Sequence, residues 1–228
     1  MNASEDVIRY LHGIDTPTVS NAIEGLKVRN RASGFCDRTL KCLFPDLGIM
    51  CGHAVTAQVE TMCLEPPDQR EKATVYLELL RALQACPEPR VVVFQEISPH
   101  KEFSAHCGEV MATAFHRLGV ICVISDSAVR DLDEVHALGI RYFAPGSVAS
   151  HANFRVVRVQ VPVTVCGLKI APGDLLHGDV NGLVQVPREG LDRLSGQIEA
   201  VRQAEAQSIQ FVKSEDFSLN ELEKRLMR

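Results

Sequence analysis

The chain has 228 residues, 46% hydrophobic and 23% charged, which suits one sizeable globular domain rather than a disordered or fibrous chain. A formal net charge of −5 with interspersed signs argues against a nucleic-acid-binding surface, which needs clustered Lys and Arg to neutralise phosphates. The longest strongly apolar run, Gly119 to Ile124, is too short to span a bilayer, so no membrane partner is expected.

The first residues, Met1 to Asp6, are acidic and lead into no apolar stretch, so a secretory leader is not expected and the location expected is cytoplasmic. In that compartment the eight cysteines are expected as reduced thiols. They form no C-x-x-C pair and their spacing is irregular, which suits neither a disulfide framework nor a zinc site. Cys122, inside an apolar run, reads as a small hydrophobe. Cys107 lies beside a helix start able to lower its pKa, with a packing role as the simpler expectation.

The elements follow in order. Asp15-Thr16-Pro17 is a helix start, followed by Val19, Ala22, Ile23 and Leu26 at helical spacing, with Gly25 as terminator. Residues 28–51 read as irregular, 54–59 as a strand and 70–84 as a helix ended by Pro87 and Pro89. Val91 to Phe94 is a continuous apolar run, as in a strand covered on both faces. A helix over 108–118, a strand over 120–124, a short helix over 131–138 and a short strand over 141–143 complete a strand–helix alternation that predicts α/β organisation with parallel pairing. Beyond Gly146 the pattern turns β-rich: strands at 154–159, 161–165 (with Pro162 marking an edge or bend) and 183–186, and a turn at Pro172-Gly173-Asp174. Residues 189–213 are helical, and a last helix is capped by Ser218 with Glu221 three residues on. The plan is an α/β catalytic domain over 1–187 with a helical C-terminal arm over 188–228.

Two segments carry candidate chemistry. The apolar strand 120–124 ends at Ser125-Asp126, and Arg130, Asp131 and Glu134 follow at once, where open α/β folds collect ligands. Arg130 offers a planar cation for a carboxylate or enolate oxygen, Asp131 a hard oxygen ligand for Mg²⁺ or Mn²⁺, and Glu134 an acid one turn on. The plainer reading makes Asp131 a cap of its own helix and Arg130–Glu134 an exposed pair. In the second segment Gly108 opens a helix whose first amides, at Gly108, Glu109, Val110 and Met111, would make an anion site, the plainer reading being an ordinary glycine-led helix start.

These segments, with 15–22, 52–56, 142–147, 172–174 and 178–184, resemble the regulator of ribonuclease activity A family from about Asp15 to Pro187. That family includes 4-hydroxy-4-methyl-2-oxoglutarate aldolases and was long mislabelled as demethylmenaquinone methyltransferases. The resemblance implies a swivelling β/β/α-type fold, assembled as a homotrimer or hexamer with sites at subunit interfaces. It implies a class II, metal-dependent lyase in which the backbone at Gly108, Glu109, Val110 and Met111 binds a pyruvate carboxylate. Arg130 would contact substrate and stabilise the enolate, Asp131 would hold Mg²⁺ or Mn²⁺, and Glu134 fills the acidic place of aldolase-competent members. The substrates implied are small 2-oxo acids: 4-hydroxy-2-oxo diacids cleaved to pyruvate, or oxaloacetate decarboxylated. The alternative within the same family is a non-catalytic regulator that binds a ribonuclease. Methyltransferase activity is not expected, because no glycine-rich nucleotide loop follows a first strand.

Ser127 stands where the family commonly has glycine and Asn21 where it commonly has aspartate, and the 147–153 loop is the chain's own. No lysine stands in the matched segments; Lys101, seven residues before Gly108, keeps a lysine Schiff base open as the alternative to a metal-held enolate. Of the histidines, His177 is expected at a turn, at the surface or behind a pocket. His53 is expected to be structural, His12, His116 and His136 to face solvent, and His100, His106 and His151 to lie in loops.

Overall fold

A computed structural model describes residues 3–61 and 68–227; Met1, Asn2 and Cys63 lie outside the described residues. The helices are α1 (Ala3–Leu11), α2 (Thr16–Leu26), α3 (Gln69–Ala85), α4 (Glu109–Arg117), α5 (Leu132–Ala137), α6 (Leu194–Lys213) and α7 (Leu219–Leu226). The strands are β1 (Lys41–Cys42), β2 (Met50–Glu60), β3 (Arg90–Glu96), β4 (Val120–Ser125), β5 (Arg141–Ala144), β6 (Arg155–Val159), β7 (Val163–Val165), β8 (Leu168–Ile170), β9 (Leu175–Asp179) and β10 (Gly182–Val186).

The centre of the main sheet is parallel, β2–β3–β4–β5, as the strand–helix alternation predicts. Antiparallel strands flank it: β9 and β10 beyond β2, β1 beyond β5, and β6 along the far end of β2. Side chains alternate across the sheet. Val92 and Phe94 of β3 face a core with Leu79 and Leu83 of α3 and Phe115 of α4. Val91 and Val93 face Ile124, Phe143 and Ile170 under the β7–β8 hairpin. A third cluster joins Leu11, Val19 and Ile23 to Val184, Leu194 and Ile198. Each such burial contributes about 1.5–3 kcal/mol. The start of α6 is therefore part of the packed body.

Several details differ from expectation. Gly25 does not end α2; the helix runs on to a left-handed C-cap at Lys27, and Gly25 lies against Gln197 of α6. A short edge strand, β1, lies within the stretch read as irregular. Strands β8 and β9 were not predicted. The β7–β8 turn is Cys166-Gly167 with positive φ at both residues, a type I′ geometry in which cysteine replaces the usual Asn or Asp. Strand β9 carries His177, Gly178 and Asp179, of which Gly and Asp are depleted in strands. His177 is consequently buried, not at a turn: Nδ1 lies 3.0 Å from Thr16 Oγ1 and Nε2 3.1 Å from the Leu11 carbonyl. α6 begins at Leu194, after a short 3-10 turn, rather than at Glu189.

Candidate active site

The parallel pairing continues past the strand ends. The Ala128 amide donates to the Ser104 carbonyl at 3.0 Å, the His106 amide to Ala128 at 2.9 Å and the Arg130 amide to Cys107 at 3.0 Å. On the other side the Val129 amide donates to Gly146 and the Val148 amide to Val129, both at 3.1 Å. Three segments thus run side by side beyond the carboxyl ends of the strands. They bring the start of α4, Arg130–Asp131 and the 147–153 loop together.

Asp131 holds φ 56°, ψ 51°, the left-handed region that non-glycine residues seldom adopt. Its side chain does not cap α5. Instead Oδ2 accepts the Glu109 amide of α4 at 2.8 Å, and Arg130 Nε lies 3.7 Å from the same oxygen. The plainer reading of Asp131 as a cap of its own helix is thereby set aside. One amide of the expected anion site is occupied, and among the described residues the Val110 and Met111 amides have no acceptor. Gly108 has an extended backbone that any residue adopts, so its requirement is space: a Cβ there would stand 2.4 Å from Asp131 Oδ2 and 2.9 Å from Arg130 Nε.

A cavity of about 410 Å³ opens on this cluster. Gly108, Val110, Met111, Arg130 and Asp131 line one part; Ala73 and Tyr76 of α3, with Phe154 and Val156, form another wall. Lys72, Gln69 and His151 add polar groups. Glu134 is exposed on α5 and is not in the lining. Lys101 is not in the lining either; its ammonium pairs with Asp126.

His106 lines the cavity from beneath, fully buried. Its Nε2 lies 2.9 Å from Glu96 Oε2 and its Nδ1 2.9 Å from Ser125 Oγ. Thr61 Oγ1 and the Ser98 amide also donate to the Glu96 carboxylate, at 2.6 and 2.8 Å. Burial alone would raise the Glu96 carboxyl, but hydrogen bonds from His106, Thr61 and Ser98 overcome it and pull it down to about 2. At Asp126 the balance is reversed: burial raises its carboxyl despite the Glu96 amide and Lys101. Cys107 is buried, and burial pushes its thiol up to about 12, so the neighbouring helix start does not activate it. Ser127 is buried and binds the Lys101 and Ser104 carbonyls, tying the preceding loop to the strand end. Asn21 Nδ2 donates to Glu205 of α6 at 3.1 Å.

Sequence reasoning missed Glu96, Tyr76, Lys72 and Phe154. For Glu96 a signal existed: it ends the apolar strand β3 much as Asp126 follows β4.

A parallel α/β core with a cavity at its strand ends, an open helix start and a single carboxylate define the class of protein. The chain belongs to the RraA-like family: the family model described as Aldolase/RraA matches residues 16–185. It is 30% identical over 88 residues to an uncharacterized protein of Methanocaldococcus jannaschii, covering 38% of this chain and 42% of that protein. It is 29% identical over 85 residues to a Halalkalibacterium halodurans protein named "Putative 4-hydroxy-4-methyl-2-oxoglutarate aldolase", covering 37% of this chain and 40% of that one. The chain thus matches about two fifths of the length of these curated relatives. In fold it is similar to Streptomyces coelicolor RraAS2, described as an unusual member of the RNase ES inhibitor RraA family. That likeness has a TM-score of 0.69 at 22% identity and covers 89% of this chain and 95% of the other. No helix among the described residues is long and apolar enough to cross a membrane.

Proposed function

We propose that the chain is a metal-dependent lyase of small 2-oxo acids, releasing pyruvate from 4-hydroxy-2-oxo acids or from oxaloacetate. The observation that carries this reading is the meeting of Asp131, Arg130 and the α4 start at one end of the cavity. The Val110 and Met111 amides are donors for the substrate carboxylate, and the α4 dipole favours the negative charge there. Arg130, with its side chain half-buried, is the cation for the oxygen on which charge develops as the carbon–carbon bond breaks.

The donor set suits a hard, strongly hydrated cation. Only Oδ2 of Asp131 is engaged among the described residues, and no group of three or more metal-ligating side chains occurs among them. A single carboxylate oxygen completed by water and substrate is the mode of Mg²⁺ or Mn²⁺ rather than of a closed zinc site. When bound, such an ion supplies Lewis acidity at the 2-oxo oxygen. Glu134 enters the reading as the acid one turn beyond Asp131. An assembly of three or six copies, with sites at the subunit interfaces, belongs to the same proposal.

The test is pyruvate release coupled to lactate dehydrogenase, with oxaloacetate and 4-hydroxy-4-methyl-2-oxoglutarate supplied separately. Release above the metal's own background, abolished by EDTA and by Asp131→Ala, is the expected result. Full activity in Asp131→Ala would remove the metal assignment, and no release from either substrate would remove the lyase.

A further inference from the structure

The cavity is larger and more apolar than a short diacid requires. A cavity of about 150 Å³ already accommodates benzene, so about 410 Å³ leaves space beyond a pyruvate unit. The pyruvate part of any substrate is held at the Asp131 end. Away from that end the lining is mostly apolar, with Ala73, Tyr76, Phe154 and Val156, and carries Gln69, Lys72 and His151 as its polar members. Phe154 is buried and fixed by two ring contacts, 6.2 Å from Phe94 and 5.8 Å from His106, within the usual range of aromatic pairing. His106 in turn has both ring nitrogens engaged, by Glu96 and Ser125, and presents no unpartnered polar atom to the cavity. Phe154, held by its ring contacts beside Tyr76 and Val156, favours a flat apolar group, whereas a second carboxylate would depend on Lys72, Gln69 or His151 to offset its desolvation.

Resting on the function proposed above, we infer that the preferred substrate is a 4-hydroxy-2-oxo acid bearing an apolar, aryl-type group at C4. In its cleavage the C4 hydroxyl loses its proton and C4 becomes the carbonyl of an apolar aldehyde. The C3–C4 bond breaks with its electron pair left on C3, and protonation of C3 gives pyruvate; nothing is oxidised or reduced. Lys72, half-buried in the lining, is the group that would instead serve a diacid.

Calorimetric titration of the full chain with two uncleavable analogues separates these cases: 2-oxo-4-phenylbutanoate and 2-oxoglutarate, which differ in the C4 group and both lack the hydroxyl. The phenyl analogue is expected to bind at least about tenfold more tightly. Ala73→Glu, at an exposed helical position that tolerates the change, is expected to erase that preference. Pyruvate release from 4-hydroxy-2-oxo-4-phenylbutanoate should likewise exceed that from the diacid in kcat/KM. Tighter binding of 2-oxoglutarate, lost in Lys72→Ala, would overturn the inference. Exchange of the pyruvate methyl protons with deuterium, which needs the enolate centre and no C4 group, separates the two levels. Exchange with a diacid preference overturns only this inference. A phenyl preference without exchange overturns the lyase and leaves the apolar specificity standing.

Discussion

The Asp131 carboxylate caps a helix other than its own: Oδ2 accepts the Glu109 amide at 2.8 Å, across 22 residues of sequence. The bond joins the two segments that carry the candidate chemistry, and it fixes a side chain that springs from a left-handed backbone. Asn both tolerates that backbone and keeps an acceptor for the amide, so Asp131→Asn removes the charge while preserving the cap. The melting temperature is expected to stay within a few degrees, while EDTA-sensitive pyruvate release falls at least about 10²-fold. A parallel loss of fold and activity would make Asp131 a structural residue.

Gly108 gives a complementary case. Its Cβ would meet Asp131 Oδ2 at 2.4 Å, and the carboxylate is the group that must yield. Gly108→Ala is therefore expected to displace Asp131 and lower release by about 10- to 100-fold, since misplacement on the ångström scale has effects of that size. Unchanged kinetics would mean that the carboxylate position has no bearing on turnover.

The local part of this site was legible in the sequence. An apolar strand running into Asp126, Arg130 and Asp131, and a glycine-led helix start, each announce themselves within about ten residues. The long-range part was not. Glu96 and His106 meet through a loop that returns under the cavity, and Tyr76 reaches the site from a helix whose periodicity speaks only of an apolar face. The fold divides in the same way. The parallel centre follows from apolar runs, whereas β9 hides behind His177, Gly178 and Asp179, which look like turn residues until Thr16 and Leu11 are seen to bind the imidazole.

Arg130 and Glu134 separate cleanly by kinetics. The Arg130 side chain donates through Nη1 to the Ala149 carbonyl at 3.4 Å and lies beside Asp131, so its planar fork is held in place. Arg130→Lys keeps the charge but not the fork, and is expected to lower kcat/KM by about 10-fold or more. Glu134→Gln, at an exposed position outside the lining, is expected to lower kcat with little change in KM if the acid orders water near the metal. Wild-type kcat in Glu134→Gln would remove Glu134 from the reaction.

Cys107 stands within one residue of the proposed anion site, yet burial holds its thiol up to about 12. Thiolate is the reactive form, so Cys107 should resist iodoacetamide at pH 8 in the native protein and react on unfolding. Peptide mapping after brief labelling measures this directly. Rapid native labelling of Cys107 would show that the strand-end segment opens.

Glu96 links stability to pH. Its folded carboxyl titrates at about 2, below the ordinary value of 4.5, because His106, Thr61 and the Ser98 amide all favour the charged form. A carboxyl depressed on folding contributes stability that is fully present above its unfolded value and lost as pH falls through the folded value. The stabilisation from Glu96 should thus hold at pH 7 and fade from about 4.5 toward 2. Glu96→Ala removes one member of a fully buried pair, for which a loss of roughly 3–5 kcal/mol at pH 7 is expected. Glu96→Gln keeps the shape and part of the hydrogen bonding, so its loss should be smaller. Urea midpoints of wild type and Glu96→Gln, measured from pH 7 down to pH 3, should converge toward the acid end. A gap that stays constant across that range would show that the carboxylate charge does not support the fold, and that Glu96 acts there through shape alone.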